Sequence, residues 1–101
     1  MVGRGWKIIW SPRAVKQFSA AIEYIRRDSE QNADSVKEKI LSKITRLTTT
    51  KATYRLYPYK ISNDGHFFYF EIVSYRVSYY KKDNEIIIVS VRHVSMRPLH
   101  Y

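Results

Sequence analysis

At 101 residues and 45% hydrophobic positions, the chain is long enough for one domain with a real core, expected to span residues 1–101. It has no cysteine, which excludes a disulfide scaffold and a zinc–thiolate site, and no apolar stretch near the ~20 residues that a membrane span needs. Eighteen Lys and Arg against nine acids give a charge of +9 and a pI near 9.9, which suits a polyanionic or acidic partner.

Trp6–Trp10 alternates as a short strand would. Ser11-Pro12 then opens a helix, with serine at the N-cap and proline at the first helical position. Val15, Phe18, Ile22 and Ile25, with Ala14 and Ala21, recur at spacings of three and four and predict one apolar helix face. Asp28–Asn32 is polar and reads as a connection, with Asn32 or Asp34 available to cap a second helix. Ala33, Val36, Ile40, Ile44 and Leu47 form the second stripe, so the two helices make an antiparallel hairpin.

After Thr48-Thr49-Thr50 the period changes to two. Tyr54–Ile61 is interrupted by Pro58 and reads as an irregular or edge strand. Ser62-Asn63-Asp64-Gly65 is a turn, followed by strands at His66–Val73, Tyr75–Lys81 and Glu85–Arg92, the last two joined through Lys82-Asp83-Asn84. The expected order is β-α-α-β-β-β, an α+β fold with the helical hairpin packed on one face of an antiparallel sheet.

Strict alternation puts Ile87, Val89 and Val91 on one side of the last strand and Ile86, Ile88, Ser90 and Arg92 on the other. The helices are expected to cover Val77, Val89 and Val91, which leaves Arg76 and Arg92 together on the uncovered face. With Tyr80 opposite Ile86, Arg76 faces Ser90, one diagonal step from Arg92; a wider turn would set the arginines directly opposite. Neighbouring like charges are unfavourable unless an anion lies between them, and phosphate suits the guanidinium fork. The alternative is that the arginines pair with carboxylates, for which Glu71 and Glu85 are near in sequence. His93, just past Arg92, has a pKa suited to proton transfer at neutral pH. His100 and Tyr101 either fold back towards that face after Pro98 or end in a frayed terminus. His66 and His100 lack the spacing of metal ligands, and three glycines leave no nucleotide-binding loop, so neither metal nor cofactor is expected.

WSPRAVKQFSAAIEYI and YRVSYYKKDNEIIIVSVRHVSMRP resemble the opening and the ending of the RelE/ParE superfamily, toxins of prokaryotic type II toxin–antitoxin systems, plasmid-stabilisation members included. The resemblance covers nearly the whole chain. It implies a cytoplasmic toxin neutralised by a cognate antitoxin protein that wraps its sheet and helices. It also implies one of two activities. RelE-like members cut mRNA on the ribosome, whereas ParE-like members poison DNA gyrase by protein binding, and fold alone does not choose between them.

On the ribonuclease reading, Arg76 and Arg92 would stabilise the phosphate and His93 or Tyr101 would move protons, without a metal. Lys51, Arg55, Lys60, Arg97 and His100 would hold the nucleic-acid backbone. Against it, the lysine cluster is thinner than in RelE and a C-terminal helix carrying a catalytic tyrosine is absent, although the His-Tyr ending resembles that of YoeB-like ribonucleases. On the gyrase reading, the same basic strand and the helical hairpin are contact surfaces.

Overall fold

A computed structural model describes residues 7–49, 55–60 and 63–96. After strand β1 (Lys7–Trp10), helix α1 (Pro12–Arg26) starts where its sequence says: the Ser11 Oγ accepts from the Ala14 N–H at 3.1 Å. Ala14 and Ile22 are buried, with Phe18, Ala21 and Ile25 packed against the same core. Val15 departs from the expected stripe. It is 47% exposed, because the buried arc is centred on Ala14, Phe18 and Ile22 and one helical step rotates Val15 by ~100° away from it.

Helix α2 (Glu30–Arg46) begins earlier than Asn32 or Asp34 would place it. Ser29 is the cap, its Oγ accepting from the Asn32 N–H at 3.0 Å. Arg26 reaches Asp34 at 3.1 Å and Glu30 at 4.0 Å, which ties the end of α1 to the first turns of α2. All five residues of the second expected stripe, Ala33 to Leu47, are buried.

The sheet contains β2 (Arg55–Leu56), β3 (Phe67–Ile72), β4 (Tyr75–Lys82) and β5 (Glu85–His93), in the order β1-β5-β4-β3-β2. Strands β2 to β5 pair antiparallel through local hairpins, but β1 runs parallel to β5, so the sheet is mixed rather than wholly antiparallel. The helical hairpin supplies the long crossover that a parallel neighbour requires. Pro58 ends β2 after two residues, and the chain turns at Tyr57–Lys60.

Two tight turns set the register. Val73 (φ 45°) and Ser74 (φ 69°) join β3 to β4, both in the left-handed region of a type I′ turn. Asp83-Asn84 joins β4 to β5, with Lys82 opposite Glu85 and Tyr80 opposite Ile87.

Between Tyr79↔Ile88 and Ser78↔Ser90 the pairing shifts, leaving Val89 as the extra residue of a bulge. The bulge overturns the strict alternation expected for β5. Ile86 and Ile88, expected on the uncovered side, are wholly buried under the helices beside Tyr79. Past Val89 the phase changes, so Val91 joins Val77 on the covered face while Ser90 and Arg92 turn to the open one. Ser11 supports this bulge directly, its hydroxyl donating to the Val89 carbonyl at 3.1 Å.

Candidate functional site: the open face of the sheet and the end of β5

Arg76 and Arg92 stand directly opposite each other, as the wider-turn register would have it, although a two-residue turn and a bulge produce the match. Arg76 is already committed. Glu71 lies across β3 from it, and the Arg76 Nε and Nη2 approach the Glu71 Oε2 at 2.9 and 2.8 Å. The Arg76 side chain is 15% exposed, the Glu71 side chain 45%. The Arg76 guanidinium also lies 5.8 Å from the Tyr59 ring centre. The carboxylate alternative thus holds for Arg76: Glu71 supplies the negative charge beside the arginine pair.

Aromatic rings interleave with cations over the rest of this face. Arg55 sits 5.2 Å from the centre of Tyr69, and Lys60 sits 5.0 Å from that of Phe67. Tyr57 packs edge-on to Tyr59 and Tyr69, and Phe67 edge-on to Tyr80. Beneath them the Ser78 and Ser90 hydroxyls bond to each other across β4 and β5, buried.

His93 is not part of this group. It pairs with Tyr75, the covered-face neighbour of Val77, and its ring meets Tyr75 edge-on at 5.3 Å. One step beyond Arg92, alternation sends His93 to the other side of the sheet. Its Nδ1 accepts from the Ser95 N–H at 3.1 Å and contacts the Ser95 Oγ at 2.7 Å, so the neutral ring carries its proton on Nε2. Of the other expected site residues, Lys51, Arg97, His100 and Tyr101 lie outside the described residues.

A second feature was not anticipated. A groove of about 630 Å³ runs between α1 and the ends of β4 and β5, floored by Ala20, Ala21 and Val91 and bordered by Tyr24, Tyr75 and Met96. Burial, and then the Tyr24 phenol, push the Tyr75 pKa up from its ordinary value. Gln17, in the same groove, accepts from the Val91 N–H at 2.8 Å. The sequence signal for this groove is the pair Ala20-Ala21, whose small side chains leave space on a helix otherwise set close to the sheet.

Among the described residues, no group of three His, Cys, Asp or Glu could hold a metal, and no helix is long and apolar enough to cross a membrane.

Residues 8–98 match the family model described as the ParE toxin of a type II toxin–antitoxin system, parDE. The chain belongs to the ParE toxin family. The toxin is also similar in fold to a solved structure from P. aeruginosa, "Chromosomal ParDE TA system". The match has a TM-score of 0.66 at 14% identity and covers 87% of this chain and 95% of that one. No curated protein sequence matches the toxin.

Proposed function

We propose that this ParE-family toxin acts as a non-catalytic poison of DNA gyrase, held in check by a cognate antitoxin in the cytoplasm. One observation carries the choice over mRNA cleavage: the histidine expected to move protons is on the opposite side of the sheet from the arginines expected to hold the phosphate. A concerted phosphoryl transfer needs proton carriers within hydrogen-bond reach of the reacting oxygens. The Glu71 carboxylate beside Arg76 adds to this, because a phosphate would have to displace or repel it. Family membership favours the same reading, since gyrase is the target that resemblance to ParE-like toxins implies.

Ribosome-associated mRNA cleavage is the second reading, favoured by the cation–aromatic face at Arg55–Tyr69 and Lys60–Phe67, which suits stacked bases. There Glu71, rather than His93, would be the proton acceptor on the arginine face. Purified toxin assayed with gyrase on supercoiled plasmid, and separately in a translating extract, decides between them. Stalled supercoiling with intact mRNA is the expected result. Cleaved mRNA that disappears with Arg76→Ala or Arg92→Ala, and undisturbed gyrase, would overturn the proposal.

A further inference from the structure

Strand β1 covers β5 only from Glu85 to Ile88, because Ser11-Pro12 turns the chain into α1. From Val89 to His93 the outer edge of β5 therefore has no strand beside it among the described residues. That is a length of ~16 Å at ~3.3 Å per residue. An edge of this kind is a template for another chain. Here its groups are occupied by side chains standing in for a strand. The Ser11 hydroxyl donates to the Val89 carbonyl, and the Gln17 amide oxygen accepts from the Val91 N–H. Val94 donates to Ser74 on the β4 side, so alternation turns the backbone groups of Val91 and His93 outward, towards the groove.

We infer that this edge is where an extended segment of the antitoxin adds as a strand, continuing the line of β1, and that Gln17 is a placeholder which the incoming backbone carbonyl displaces. The groove beside the edge fits such a segment. Its floor of Ala20, Ala21 and Val91 takes alternate apolar side chains, and its rim exposes Tyr24 (70%) and Met96 (52%). Charge selects the partner's other residues. Arg13 and Arg27 lie on the same α1 face as Gln17, Ala20 and Tyr24, at spacings of three and four, and Arg92 borders the groove. With +9 on the whole chain, the complementary segment alternates apolar and acidic residues. The inference rests on membership of a toxin–antitoxin family, not on gyrase as the target.

The test is amide hydrogen exchange on the full toxin, alone and co-purified with its full-length antitoxin, in wild type and Gln17→Ala. In the free toxin, Gln17→Ala speeds exchange at Val91. In the complex, Val91 and His93 slow by at least about tenfold, and the protection at Val91 no longer depends on Gln17. Because the placeholder's bond is lost on binding anyway, removing it raises the free state alone and tightens antitoxin binding about fivefold. A residue that only supports the interface would give weaker binding instead. Unchanged exchange at Val91 and His93 in the wild-type complex would overturn strand addition, whatever the variant does and whether or not the toxin inhibits gyrase.

Discussion

Replacing Glu71 by Ala tests whether that carboxylate is what allows two arginines to face each other on β4 and β5. Glu71 accepts from two nitrogens of Arg76, at 2.9 and 2.8 Å. A hydrogen bond to a charged group contributes about 1.5–3 kcal/mol when shielded, and an exposed ion pair about 0–1. With Arg76 15% and Glu71 45% exposed, an intermediate value of about 1.5 kcal/mol applies. Directly opposed like charges add about 0.5 kcal/mol once the carboxylate is gone. The expected loss of about 2 kcal/mol corresponds to a fall in Tm of about 8–16 °C for a domain of this size. Thermal and urea unfolding measure it, and a double-mutant cycle with Arg76→Met, which keeps the stem against Tyr59, isolates the pair. The exposed anion site gives a second readout. Phosphate should raise the Tm of Glu71→Ala more than chloride at equal ionic strength does, and should leave wild type nearly unchanged. A variant within about 0.5 kcal/mol of wild type, with no specific response to phosphate, would refute the argument that Glu71 satisfies the arginine pair.

Three further outcomes follow from single features. Val73 and Ser74 occupy left-handed positions without glycine, so Val73→Asn with Ser74→Gly, a type I′ pair, should stabilise the toxin by about 1 kcal/mol in urea unfolding. Ser11→Ala removes both the cap of α1 and the support of the Val89 bulge, and should cost about 1.5–2 kcal/mol by the same measurement. Tyr75 has a raised folded-state pKa, because its burial penalises the phenolate. Its neutral form is therefore preferred in the folded state, and its contribution is constant below the ordinary value of 10.0. As pH climbs above 10.0 the unfolded chain ionises first and that contribution is lost; Tyr75→Phe should abolish this part of the alkaline loss in a stability–pH series.

The helical hairpin was legible because its signals are local and periodic. Ser11-Pro12 marks one start, and the Ala33–Leu47 stripe lies under the sheet as spaced. The later cap at Ser29 was missed because Asp28–Asn32 offers several competent residues, and only geometry chooses among them. The parallel placement of β1 is a long-range pairing, with no local trace in the sequence. On β5 the period of two correctly sent Arg92 to the open face but wrongly sent Ile86 and Ile88 there. Val89 resembles any strand residue, and nothing local says that it is the one left unpaired. What singles it out is Ser11, seventy-eight positions earlier, through a side-chain bond to its carbonyl.

That bond links the fold to the choice of chemistry. The bulge is what brings Arg92 level with Arg76 while Ile86 and Ile88 stay buried; without it, one phase would run through the strand and one of these requirements would fail. The same phase puts His93 beside Tyr75 on the covered face, one residue beyond Arg92. No side-chain rotation carries an imidazole through a sheet, so substitution at His93 should leave chemistry on the arginine face untouched. Its position beside the groove, with Tyr24, Tyr75 and Met96, makes it a contact for a protein partner instead. The two faces therefore divide the expected site: cations and aromatic rings on one, a histidine-lined apolar groove beside an unpaired strand edge on the other. A toxin that works by binding proteins can use both faces at once, whereas a nuclease would need the two halves of its site on the same one.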